Sequence, residues 1–146
     1  MEIAVTLPPA KTLQQARAME SYYRREYREA IDLFQKALEE TETAECWNDL
    51  GCSQVACKLY DEATASFRRA IELDRTYAQA AQNLGALLAV QGRNAEAIPI
   101  LKQAQKTLNP KDRASLTPLI EHCLKESRVL TQPAFQWGAR PGCFAW

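Results

Sequence analysis

The sequence predicts an all-α fold: an α-solenoid of three antiparallel helix pairs, followed by a capping helix and an irregular C-terminal tail. Two observations carry that prediction. The first is a pattern written three times, as Ala30, Phe34, Ala37, then Ala63, Phe67, Ala70, then Ala97, Leu101, Ala104. The copies stand 33 and 34 residues apart, and a fixed period of that size marks stacked helical repeats rather than one closed globule. The second is composition, since the 146 residues are 47% hydrophobic and 25% charged, an ordinary balance for one folded domain with a buried core. Stacks of this kind present an extended concave face, so the expected activity is holding another polypeptide.

Residues 1–10, which open Met-Glu-Ile-Ala-Val-Thr-Leu-Pro-Pro, read as an N-terminal extension. They lack a basic leader and carry only a short apolar stretch, so they do not read as a secretory signal. The first copy spans 11–43, with an opening helix from about Lys11 to Tyr23. It is the least regular copy: Ala18, Tyr27, Ala30, Phe34 and Ala37 fit, but Arg17 stands where leucine is expected. The second copy, 44–77, carries Trp47, Leu50, Gly51, Ala63, Phe67 and Ala70. Small residues at 51, 63 and 70 let two helix axes approach, while Trp47, Leu50 and Phe67 fill the space between them and the next pair. The third copy, 78–110, has Leu84, Gly85, Leu88, Ala97, Leu101 and Ala104, with Ala81 in the tryptophan position. Gly92 reads as the C-terminal cap of its first helix, and Asn94 can start the second. The shorter 33-residue step implies one residue fewer around Glu39 to Thr43.

Asn109 and Pro110 read as the N-cap and first position of a further helix. Over 111–130, Leu116, Leu119, Ile120, Cys123, Leu124 and Val129 form an apolar stripe opposite Glu121, Lys125, Glu126 and Arg128, the pattern of a capping helix. Two starts fit: Thr117 and Pro118 as N-cap and first residue, or a longer helix from Pro110 with a kink at Pro118. The tail, 131–146, contains Pro133, Gly138, Pro141 and Gly142 and is expected to be non-helical. Its Phe135, Trp137, Phe144 and Trp146 write Phe-x-Trp twice, and four large rings are expected to pack on this chain, on a second copy or on a partner.

The order Trp-x2-Leu-Gly followed by Ala-x3-Phe-x2-Ala resembles the tetratricopeptide repeat, over about 100 residues of the chain. The resemblance implies that the first helix of each repeat lines the concave groove. Its groove positions fall on Thr12, Gln15, Ala16, Met19 and Tyr22, on Glu45, Asn48, Asp49, Cys52 and Val55, and on Gln79, Gln82, Asn83, Ala86 and Ala89. The expected partner-binding residues among them are Gln15, Met19, Tyr22, Asn48, Asp49, Cys52, Gln79, Gln82 and Asn83. Family members that grip the C-terminal carboxylate of heat-shock chaperones use lysine, arginine and asparagine at such places, because a carboxylate needs charge-assisted donors. Here only the asparagines are present. The expected ligand is a neutral or mildly basic segment with apolar anchors, with Glu45 and Asp49 as the only groove charges. The plainer alternative is that the amides solvate an unused face and Met19 is core.

Eighteen basic and eighteen acidic residues cancel, which removes the electrostatic footprint of a nucleic-acid or anionic-membrane binder. No stretch approaches the roughly 18 apolar residues that span a bilayer, and a cytoplasmic location is expected. Cys46, Cys52, Cys57, Cys123 and Cys143 are an odd set without disulfide-framework spacing, which reads as reduced thiols. The one histidine, His122, lies beside Cys123, but neighbours on a helix point about 100° apart and do not make a nucleophile and base pair. Cys46 and Cys57 are too far apart on one face to share a metal. With no phosphate loop or nucleophile elbow either, no catalytic residue, metal or cofactor is expected, and the chain does not read as an enzyme. The expected function is a protein-interaction scaffold or adaptor. The alternatives are a class II secretion-type chaperone for apolar substrates, whose bacterial members also resemble a three-repeat stack, and an assembly subunit of a larger enzyme or photosynthetic complex. Pairing with a second copy would complete the imperfect first end of the stack.

Overall fold

The computed structural model describes residues 12–131. Among them are seven helices: α1 (Leu13–Tyr23), α2 (Tyr27–Glu40), α3 (Ala44–Ala56), α4 (Tyr60–Leu73), α5 (Ala78–Val90), α6 (Asn94–Thr107) and α7 (Pro110–Thr131). Hydroxyl caps start two of them, since Thr12 Oγ1 accepts from the Gln15 N–H and Thr43 Oγ1 from the Cys46 N–H, both at 3.1 Å. Each satisfies one of the orphan donors of a first turn. The shorter spacing between the first two pairs lies where the sequence placed it: residues 41–43 join α2 to α3, whereas 74–77 join α4 to α5.

Within each pair the turn is built the same way. Arg25, Lys58 and Gly92 adopt φ of 64°, 62° and 75°. The next N–H, from Glu26, Leu59 and Arg93, donates back to the carbonyls of Ser21, Gln54 and Leu88 at 2.9, 2.9 and 2.8 Å. This is the Schellman closure of a helix C-terminus. Gly92 is therefore the cap the sequence indicates, while Arg25 and Lys58 hold the left-handed conformation despite a Cβ, at a cost of about 1 kcal/mol each. Asn94 starts α6, as the sequence indicates, but as its first helical residue: it is buried, and its Oδ1 has no hydrogen-bond partner among the described residues. It occupies the place that Tyr27 and Tyr60 hold at the starts of α2 and α4.

The repeating core unit is a ring or branched side chain seated over a small residue of the preceding helix. Phe34, Phe67 and Leu101 are at most 1% exposed. A Cβ on Gly51 would come within 2.6 Å of the Phe67 ring, and one on Gly85 within 2.5 Å of Leu101 Cδ2. In the first pair the small residue is Ala18, fully buried. Leu50 belongs to the cluster of Phe34 and Ala37, so it packs on the pair before its own, and Leu84 joins Ala63 and Phe67 in the same manner. Arg17, at the equivalent position of α1, is exposed, because no earlier pair stands among the described residues for a leucine to pack against.

α7 begins at Pro110 with Asn109 as its cap, the Asp112 N–H donating to Asn109 Oδ1 at 2.9 Å. It runs unbroken through Pro118, so the later start at Thr117 is not used. Leu116, Ile120 and Cys123 are buried against the last pair, and the Arg113 guanidinium donates to the Gln105 and Leu108 carbonyls at 3.0 and 3.2 Å, closing the C-terminus of α6. Pro118 in α7 and Pro99 in α6 each remove one helix hydrogen bond. Both are exposed, as are Ala95 and Ala114, whose carbonyls lose the partner and can turn to water instead.

The helices form two rows. α1, α3, α5 and α7 approach one another in succession, whereas α2, α4 and α6 touch their own pair and the following odd helix but not each other. Closer approach on one side than on the other curves the stack, with the odd helices inside. Among the described residues no helix is long and apolar enough to cross a membrane.

Candidate functional site

The residues expected to line a groove lie on or just before the inner helices α1, α3 and α5, and those midway along the row are polar. Asn48 on α3 is 1% exposed. Its Nδ2 donates to Asp49 Oδ1 at 3.3 Å, and its Oδ1 accepts from Asn83 Nδ2 on α5 at 2.9 Å. Asn83 also reaches Cys52 Sγ at 3.6 Å. The two asparagines therefore tie α3 to α5. A residue as buried as Asn48 orients its neighbours and does not itself meet a ligand broadside.

Beside this network, where α1 meets α3 and the start of α5, lies a hollow of about 150 Å³. Met19, Tyr22 and Tyr23 form one wall, Asn48, Asp49 and Cys52 the other, with Gln79 at the rim and the Phe34 ring beneath. Tyr22 is held edge-on by Tyr23 and Tyr27, ring centres 5.8 and 5.5 Å away. Burial pushes the Asp49 carboxyl up to about 6 against the lowering effect of the Asn48 amide, and Glu45 one turn earlier adds to the rise. Burial likewise raises the Cys52 thiol to about 11, with Asp49 contributing, and raises the Tyr22 phenol. Tyr77, just before α5, is carried to about 12 by burial and then by Asp49, and its hydroxyl donates to Gln79 Oε1 at 3.3 Å. The Cys46 thiol, raised by burial to about 12, donates to the Phe34 carbonyl at 3.7 Å. Thiols held this far above neutrality are poor nucleophiles.

Of the residues expected in the groove, Met19, Tyr22, Asn48, Asp49, Cys52 and Gln79 share this hollow. Gln82 is exposed and Asn83 half-buried further along α5, while Gln15 is 8% exposed and lies largely within the stack. Tyr23, Phe34 and Tyr77 complete the surroundings and were not anticipated. Tyr77 precedes its helix, and Phe34 belongs to the outer row, where the repeat pattern marks it only as core. The tail residues Phe135, Trp137, Phe144 and Trp146 lie outside the described residues.

Two larger hollows open between the outer helices. One of about 440 Å³ lies between α4 and α6, lined by Ile71, Leu84, Pro99 and Ile100 with Arg68 and Arg75 at its edge. The other, of about 450 Å³, lies between α2 and α4 beside Trp47. There Trp47 Nε1 donates to Glu42 Oε1 at 2.9 Å, and Glu42 also takes Arg69 Nε at 2.8 Å.

Pairs of helices stacked at a 33- to 34-residue pitch, with the inner helices touching in succession, define an α-solenoid. Specifically, this is a tetratricopeptide repeat fold: residues 44–77 match the family model of the tetratricopeptide repeat. No curated protein sequence matches the chain significantly. Solved structures do. The TPR2B domain of yeast Sti1, in its Hsp70 complex, is 14% identical with a TM-score of 0.69 over 77% of this chain and 94% of that one. The Yersinia enterocolitica type III secretion chaperone SycD, in complex with a peptide of the translocator YopD, is 20% identical with a TM-score of 0.68 over 77% of this chain and 90% of that one. The first TPR of Spaghetti (RPAP3), bound to the HSP90 peptide SRMEEVD, is 18% identical with a TM-score of 0.67 over 82% and 91%. At these identities the likeness establishes the fold.

Proposed function

We propose that this chain is a protein-interaction adaptor that holds a segment of a partner polypeptide along its inner row of helices. The observation that carries the reading is the hollow at Met19, Tyr22, Asp49 and Cys52, which combines apolar and aromatic walls with fixed polar groups on the concave side. Recognition sites for side chains are built this way, mostly apolar with a few placed polar groups that set orientation. The structural neighbours add support, since yeast Sti1, SycD and Spaghetti were each solved with a peptide or chaperone ligand.

Within that function the composition of the groove favours a segment gripped through internal side chains over a C-terminal carboxylate. The expected groove positions supply no lysine or arginine, and the charged groups there are Glu45 and Asp49. A carboxylate would meet repulsion instead of donors. That absence also favours the secretion-chaperone alternative over a heat-shock adaptor, in keeping with the likeness to SycD. Capture from the native lysate by the full chain tests the reading. Gln79→Trp with Gln82→Trp adds bulk at two exposed groove positions without disturbing the core, and is expected to abolish recovery of the specific partner. Equal recovery by this variant would place binding elsewhere on the molecule.

A further inference from the structure

Among the described residues no cation is paired with the Asp49 carboxylate: the arginines Arg24, Arg69 and Arg93 pair instead with Glu20, with Glu42 and Glu72, and with Glu96, all away from the hollow. The Asp49 side chain is half-buried, and the one side-chain hydrogen bond it receives there is the 3.3 Å contact from Asn48. A carboxylate withdrawn from water without a counter-charge is unfavourable, and its attraction for a cation is stronger than it would be at an open surface. Opposite it stand the rings of Tyr22 and Tyr23 and the thioether of Met19. Aromatic faces attract a cation through their quadrupole, and the methylene stem of a basic side chain lies well against such walls. An anion would be repelled by Asp49 and Glu45, and an apolar group would seal the carboxylate from water with no partner. The volume, about 150 Å³, admits a single side chain.

We propose that this hollow is a recognition site for one basic side chain, lysine or arginine, of the bound polypeptide segment, with the cationic head on Asp49 and the stem against Met19 and Tyr22. The proposal rests on the reading of the inner row as a peptide-binding face and names what that face selects. It also carries a pH signature. The titratable and charged groups around Asp49 are Tyr22 and Tyr23 from α1, Glu45, Cys46 and Cys52 from α3, and Tyr77 ahead of α5. The phenols of Tyr22 and Tyr77 and the two thiols are held above their ordinary values and stay neutral, whereas Asp49, near 6, is largely protonated at pH 5 and must give up that proton to hold a cation, and is already ionised at pH 7.5. Binding is therefore stronger at pH 7.5 than at pH 5.

The test is selection by the immobilised full chain from a random decapeptide library blocked at both ends, so that no terminal charge competes. The expected pool carries lysine or arginine at one shared position. Replacing that residue by norleucine weakens binding about tenfold or more, the scale of one desolvated charge pair. Asp49→Asn keeps the shape and the contact with Asn48, and is expected to erase both the basic preference and the difference between pH 5 and pH 7.5. Circular dichroism of that variant establishes that it is folded. A pool that binds without a shared basic position, or a basic preference unchanged in Asp49→Asn, overturns the basic-side-chain site and leaves the peptide-binding groove standing. A pool with no enriched sequence at all overturns the groove reading and this site with it.

Discussion

Asn83 Nδ2 donates to Asn48 Oδ1 across 2.9 Å, and this bond joins the third helix pair to the second at the floor of the groove. Asn48 has almost no solvent, so losing its partner leaves a buried acceptor unsatisfied, which costs about 1–3 kcal/mol. Asn83→Ala is expected to lower the unfolding free energy measured by urea denaturation by that amount, and Asn48→Ala by at least as much. In the double variant the two losses are not additive, with a coupling of about 1 kcal/mol. Additive losses would show that the bond is not formed in solution.

Asp49 gives stability an unusual pH dependence. Its pKa is near 6 in the folded chain against an ordinary 3.8, so the folded state binds the proton more tightly than the unfolded state. Below about pH 3 both states are protonated and the group costs nothing. As the pH rises from 4 through 6 the unfolded chain releases the proton while the folded chain still holds it, until above 6 the folded chain carries a charge removed from water, and stability falls by an amount on the order of 3 kcal/mol. Asp49→Asn removes that slope and is expected to raise the thermal midpoint at pH 7.5 but not at pH 3. Identical midpoints of the two proteins at pH 7.5 would contradict the burial of the charge.

The left-handed turns predict an easy gain and a matching loss. Lys58→Gly relieves a Cβ at φ 62° and is expected to stabilise by about 0.5–1 kcal/mol, net of the added freedom of the unfolded chain. Gly92→Ala, at φ 75° with open space around it, should destabilise by about 1 kcal/mol through the backbone alone. Chemical denaturation of the two variants measures both.

Close packing at the repeated core position predicts asymmetric responses. Phe67→Ala opens a cavity and should cost about 3–5 kcal/mol. Gly51→Ala puts a methyl 2.6 Å from the same ring and should cost about 1–3 kcal/mol by overpacking. Combining Gly51→Ala with Phe67→Leu is expected to recover part of the loss, since a smaller side chain yields the space.

The helix pairs were legible because each inner helix needs a small residue under the ring sixteen positions on, and Ala18 with Phe34, Gly51 with Phe67 and Gly85 with Leu101 write that requirement at a fixed pitch. The misfit of Arg17 also became intelligible, since no earlier pair stands among the described residues for a leucine there to pack on. Other features were hidden for physical reasons. Arg25 and Lys58 adopt a conformation that glycine would announce, and nothing in their side chains marks it. Asn94 has the chemistry of an N-cap but falls one residue too late, inside the first turn and in the place of a tyrosine. The groove residues were readable as a face of each inner helix. Which of them is buried between helices, as Asn48 is, and which opens into a hollow, as Asp49 does, depends on how neighbouring pairs rotate against each other, and that is not encoded in any one segment.

The central claim is that a partner segment lies along the inner row. Site-resolved photo-crosslinking in the native cell addresses it most directly, with the reactive group placed at Gln82 on the inner row or at Lys102 on the outer row, both exposed. The account predicts a discrete protein adduct from position 82 and none from position 102. An adduct from position 102 with none from position 82 would contradict it.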